Sequence, residues 1–193
     1  MHLNFKRSVV FAAFSLFSVH ALSGPTQGPF KATVILAMDS FEPSMPSQMP
    51  CPNSHMVGLT IGSGNASHLG KISFVGNDCV NVSVPLNSYP VFSFSGIPGT
   101  SGTPALTITA ANGDKLYATY YGSFVPDHTR KSASPALLPY KVDAGAGFSI
   151  TGGTGRFQGA QGKGILTGVE DLDPSGKVPA ANGKLELNGT ISY

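Results

Sequence analysis

FSITGGTGRFQGAQGKGILTGVE, residues 148–170, decides how this chain folds. A short run with Phe148 and Ile150 on one face enters a segment that is almost half glycine. It leaves through a second run, Ile165–Val169. Glycine supplies the positive φ angles of tight turns and bulges and lets two backbones approach closely. Between residues 152 and 160 the large groups that matter are Arg156 and Phe157. The pattern predicts two antiparallel strands joined by a compact turn. Phe157 plugs a barrel end or packs under the sheet, and Arg156 sits at the rim.

The remaining segments carry the same signature of alternating runs cut by turn formers. Phe30–Met38 reads as the first strand, and Asp39–Pro52, with four prolines, reads as an irregular loop. Val57–Ile61 reads as a short strand closed by a turn at residues 62–65. Ser67–Val75 reads as the next strand, with His68, Ile72 and Phe74 on one face, so His68 is expected to point inward. Gly76-Asn77-Asp78 reads as a hairpin turn into the Cys79–Val84 strand. Val91–Ser95 and Ala105–Ala110 follow as strands. Asn112-Gly113-Asp114 is the strongest hairpin signal, because Asn-Gly can supply both positive φ values of a type I′ turn. Lys115–Phe124 returns with Leu116, Ala118 and Tyr120 on one face. Residues 125–142 read as a mobile connection, and Lys184–Tyr193 as the last strand. The expectation is an all-β protein, a single antiparallel barrel of about eight strands.

Length and composition agree. The chain of 193 residues suffices for one domain with a substantial core. Gly and Pro together number 39 (24 + 15), favouring turns over helices. A net charge of +2 with no Lys/Arg cluster speaks against a nucleic-acid partner. Lys6 and Arg7 precede an apolar run, Val9–Val19, and then Val19-His20-Ala21, the pattern of a signal peptide cleaved after Ala21. Residues 1–21 are therefore assigned to targeting, 22–56 to the first strand and the Met/Pro-rich loop, and 57–193 to the barrel body. The expected location is secreted or periplasmic, with no stable membrane anchor. In that oxidising setting the two cysteines, Cys51 and Cys79, are expected to form a disulfide. It is worth roughly 3–4 kcal/mol in the chain-entropy picture.

Chemical motifs are few. Gly64–Lys71 has the wrong glycine spacing for a phosphate loop, and Ile72 stands where Ser or Thr is needed. Asp171, Asp173 and Ser175 resemble half of a calcium loop, but position twelve is Asn182 and a plain turn recruits the same residues. No cofactor is implied. Glu170 follows an apolar run and is a candidate for the lumen, where burial raises a carboxyl pKa and suits it to proton transfer. Asp114 is a second acid/base candidate. Arg156 or His68 could stabilise developing negative charge. Ligand contacts are expected from His68 and from Tyr117 or Tyr120.

Five phrases together resemble a family: GSGNASHLGKISF (62–74), the Cys79 strand, LTITAANGDKLYATYYGSF (106–124), ITGGTGRFQGAQGKGILTG (150–168) and NGTISY (188–193). They look like exported bacterial proteins with an allene oxide cyclase-like barrel, related in shape to plant dirigent proteins. The resemblance implies an eight-stranded barrel with an apolar lumen, often in homo-oligomers. Three functions are compatible with it. One is binding of a small apolar or amphipathic molecule in the lumen. Another is a dirigent or cyclase-type isomerisation by lumen polar groups. The third is a structural or surface-interaction role with a filled barrel.

Overall fold

A computed structural model describes residues 26–43, 51, 56–83, 89–99, 102–173 and 182–193. The expected targeting segment (1–21), Ser175 and most of the Met/Pro-rich loop lie outside them. Ten strands follow one another: β1 Gln27–Pro43, β2 Met56–Ala66, β3 Gly70–Ser83, β4 Val91–Gly96 and β5 Leu106–Ala110, then β6 Lys115–Pro126, β7 Leu138–Val142, β8 Gly147–Gly153, β9 Gln161–Leu172 and β10 Gly183–Ser192. No α-helix occurs among the described residues, and no helix there is long and apolar enough to cross a membrane.

All pairings are antiparallel, and β10 bonds to both β1 and β9, which closes the sheet into a ring. The count is ten rather than the expected eight because two places in the ring are shared. The short strands β4 and β5 each bridge β3 and β6. Similarly, β7 and β8 each bridge β6 and β9.

The interior is set by alternation. Phe30, Ala32, Val34 and Leu36 of β1 point inward, as do Leu116, Ala118, Tyr120 and Phe124 of β6. Strand β9 turns Gly162, Gly164, Leu166, Gly168, Glu170 and Leu172 to the same side; the glycines leave space that Ile150, Phe148 and Leu185 fill from neighbouring strands. Phe157 plugs one end of the ring, fully buried on a 3₁₀ turn (Gly155–Phe157) with its ring against Tyr193. Arg156 stands at that rim, half exposed, and pairs with Asp114.

Several expectations need correction. The glycines at 62–65 do not make a turn; β2 runs straight through them. A Cβ on Gly64 would lie 1.8 Å from the carbonyl oxygen of Thr33, so glycine there serves close approach of two strands. Likewise β3 is continuous through Gly76-Asn77-Asp78, which is strand and not hairpin. The hairpin at 112–114 forms, but only Gly113 has a positive φ, 91°. The turn is completed by the Asn112 side chain, which accepts the Asp114 N–H and donates to its carboxylate. The connection after β6 is tied down rather than mobile. Arg130 Nη2 donates to Asp171 Oδ1 at 2.6 Å, and the Ala133 N–H donates to Asp171 Oδ2 at 2.7 Å.

The disulfide joins Cys51 to Cys79 of β3, with Cα atoms 5.4 Å apart. It closes a loop of 28 residues that contains all of β2. Replacing both cysteines by alanine is expected to lower unfolding stability by roughly 2–4 kcal/mol. Denaturant melts with and without reductant check this. A wild-type midpoint insensitive to reductant would remove the bond from the stability account.

Candidate functional site

Three acidic side chains converge inside the ring from three strands: Asp39 of β1, Asp78 of β3 and Glu170 of β9. Thr60 of β2 and Tyr120 of β6 complete the polar lining, while Phe74, Phe94, Phe124, Leu166 and Leu187 supply apolar walls. The enclosed space is about 20 Å³, room for one water-sized group.

Each polar group reaches this point for a local reason. In β1 the register against β2 slips between Leu36 and Met38, so Ala37 is the extra residue of a bulge. The slip reverses the parity of the strand beyond it. Asp39, which would otherwise face solvent, lies opposite Thr60 and turns inward, 3% exposed. Thr60 Oγ1 donates to Asp39 Oδ1 at 3.0 Å. Asp78 continues the inward alternation of Ile72, Phe74 and Gly76 on β3. It sits opposite Gly58, where any Cβ would lie 1.9 Å from Asp78 Oδ1. Tyr120 donates from its hydroxyl to Asp78 Oδ2 at 2.9 Å. Its ring fits because Gly96, beside it on the neighbouring strand β4, carries no Cβ; one there would stand 2.5 Å from the ring.

Glu170 is 0% exposed, and among the described residues neither of its oxygens has an N–H or hydroxyl donor; Oδ1 of Asp78 also lacks one. Burial pushes the Glu170 carboxyl well above its ordinary value, and the charge of Asp39 beside it adds to the rise. As two carboxylates, Asp39 and Glu170 have no proton to share; with one proton between them they hydrogen-bond. Burial also raises Asp78 from 3.8 to about 6, against the lowering effect of the Tyr120 hydrogen bond. Tyr120 in turn is raised well above its usual value, by burial and then by the charge of Asp78.

The expected site residues divide between two places. Glu170 and Tyr120 meet in this acidic end, together with Asp39 and Asp78, which the sequence pattern places in a loop and a turn. Tyr117 instead lies on the other face of β6, half-buried. His68, Asp114 and Arg156 gather at the rim around Phe157. His68 sits in the turn before β3 rather than inside a strand, with a positive φ of 66°. Its Nε2 donates to the Pro29 carbonyl at 2.9 Å, which leaves Nδ1 to accept from the Tyr193 hydroxyl at 3.2 Å. Pro29 and Asp39 are ten residues apart on β1, about 30 Å at the usual strand rise. The rim cluster therefore cannot act on the same small molecule as Glu170. Asp171, the first residue of the calcium-like turn, spends both oxygens on Arg130 and Ala133. No group of three or more ligating side chains suited to a metal ion occurs among the described residues.

The missed residues left some signal. Asp78 could have been found by extending the inward alternation of Ile72 and Phe74 through Gly76 instead of stopping at a supposed turn. For Asp39 the sequence gives no cue, since the bulge exists only in the pairing with β2.

A carboxyl with a raised folded-state pKa binds its proton more tightly folded than unfolded, so stability falls as pH climbs through that window. For Asp78 the fall runs from about pH 4 to about pH 6 and amounts to roughly 3 kcal/mol. Glu170 extends it to higher pH. Asp127, lowered by its hydrogen bonds from Thr129, acts in the opposite sense but only near and below pH 4. Urea titrations from about pH 4.5 to 8 are therefore expected to show steadily declining stability. Asp78→Asn should remove much of the slope below pH 6, and a flat wild-type profile would contradict the buried-acid assignment.

Compared with known proteins, the chain gives no match to a family model, to a curated protein or to a solved structure.

Proposed function

We propose that this chain is an exported barrel that binds a small molecule, apolar over most of its surface, with its polar group held at the acidic end of the lumen. Glu170 carries this reading: it is fully buried, lacks an N–H or hydroxyl donor on either oxygen among the described residues and faces an otherwise mostly apolar cavity. Unpaired buried carboxyls are expensive, and a core serving stability alone would replace them with apolar groups. Such perturbed acids in a cavity mark functional sites. The cavity as it stands takes a polar head of about one heavy atom; the body of a ligand requires the surrounding Phe and Leu side chains to move apart. The disulfide supports export to an oxidising compartment. The closed antiparallel ring supplies the lumen this reading needs.

A second reading is a dirigent or cyclase-type isomerase. It is favoured by the burial that raises the Glu170 carboxyl well above its ordinary value, since a carboxyl that keeps its proton beyond the usual carboxylate range suits general-acid work. Binding comes first in either case. A filled structural barrel is disfavoured by the same unpaired oxygens.

Native mass spectrometry of the full chain, offered a lipid and phenolic extract, tests the binding reading; an empty spectrum across the panel would count against it. Glu170→Gln is expected to abolish binding. At about pH 8 it should also raise stability by about 1–3 kcal/mol, because it removes the crowding of acids. The gain should vanish by about pH 5. A variant that loses stability at both pH values while keeping its ligand would reverse the assignment.

A further inference from the structure

The acidic end is short of donors, and that shortage has a chemical sense. Among the described residues, three buried acceptor atoms at the cavity have no N–H or hydroxyl donor: Oε1 and Oε2 of Glu170 and Oδ1 of Asp78. The hydroxyls close by are already committed, Tyr120 to Asp78 Oδ2 and Thr60 to Asp39 Oδ1. Among the described residues, no Lys, Arg or His lines the cavity. The nearest guanidinium, Arg130, is turned to the Glu170 backbone carbonyl and the Asp171 carboxylate. A water molecule has two protons to donate. A primary ammonium has three and carries the opposite charge, in a head of one heavy atom that suits a space of about 20 Å³.

We propose that the molecule bound here is a primary amine in its ammonium form, whose three N–H groups are accepted by the two Glu170 oxygens and Asp78 Oδ1, and whose apolar chain lies along the Phe and Leu walls. This rests on the lumen-binding reading and specifies its ligand class. Binding then competes with the proton. Asp39 from β1, Asp78 from β3 and Asp171 next in sequence all raise the cost of charge on Glu170; Tyr120 of β6, bonded to Asp78, lines the same cavity, and Tyr140 of β7 stands opposite Glu170 in the register. Each ammonium that enters therefore releases about one proton, and affinity rises with pH by up to about tenfold per unit while the acids titrate. Such a barrel would take up amines in neutral or alkaline surroundings and let them go in acid.

Isothermal calorimetry of the full chain with n-butylammonium chloride and with butan-1-ol, at about pH 8 and about pH 5.5, tests this. Two buffers of different ionisation enthalpy count the protons. Butylammonium is expected to bind at least ten times more tightly at the higher pH, to release about one proton, and to outbind the alcohol. Glu170→Gln and, separately, Asp78→Asn should each lose the ammonium preference while keeping native circular dichroism. Equal binding of alcohol and ammonium, or ammonium affinity independent of pH, overturns the amine assignment but leaves lumen binding standing. Binding of neither probe overturns both. Unchanged ammonium binding in both variants places the site elsewhere and overturns the inference.

Discussion

Ten residue pairs between Gln27–Leu36 and Gly183–Ser192 close the ring, and the interior exists because of them. An open sheet of this width would present two free edges and one wet face. Closure removes the edges and gives every strand an inside. Only then does alternation become a rule about burial, and only then can Asp39, Asp78 and Glu170, distant in sequence, face one another. The β1–β10 pairing joins the two ends of the described chain, so the ring forms only when contacts of the greatest sequence separation are made. By the loop-closure argument this makes it a late and slow event in folding.

Within the ring, side-chain volume is managed by leaving it out on one strand and adding it on the next. Phe148 and Ile150 of β8 lie over Gly164 and Gly162 of β9, and the Tyr120 ring lies over Gly96 of β4. The glycine-rich run that shaped the reading of the fold thus has two jobs. Its turn glycines bend the chain at 152–159, with positive φ at Gly152, Gly155 and Gly159. Those in β9 are flat wall, cut away so that aromatic groups from neighbouring strands can cross the lumen.

This double use explains what could be read from the sequence and what could not. The strand class, the inward face of β6, the plug at Phe157 and the inward Glu170 all follow from local alternation, which the sequence displays directly. Glycine was ambiguous: at 62–65 and at Gly76 it marks close approach inside a strand, yet its composition is that of a turn. That ambiguity hid Asp78. Asp39 was hidden by a different cause, since a one-residue slip between partners is a property of the pair and not of either strand. Of the three acids, Glu170 was therefore legible, along with Tyr120 of the same lining, while Asp39 and Asp78 became visible only with the pairing in hand.

The bulge at Ala37 also bears on why the acids are there. Without the slip, β1 would place Met38 inward and Asp39 outward, giving a dry apolar end and a satisfied carboxylate in water. That alternative needs no change of sequence, only unbroken pairing with β2, and it would spare the desolvation of a carboxylate beside two others. The chain instead carries an irregularity whose effect is to bring a third acid beside Glu170, opposite a threonine that orients it. Gly58 makes room for Asp78 in the same way from the next strand. Separate local devices in β1 and β2, each unfavourable or neutral for packing, converge on one small space. A lumen built only to be filled has no use for them, whereas a lumen built to hold one charged or proton-bearing group needs both.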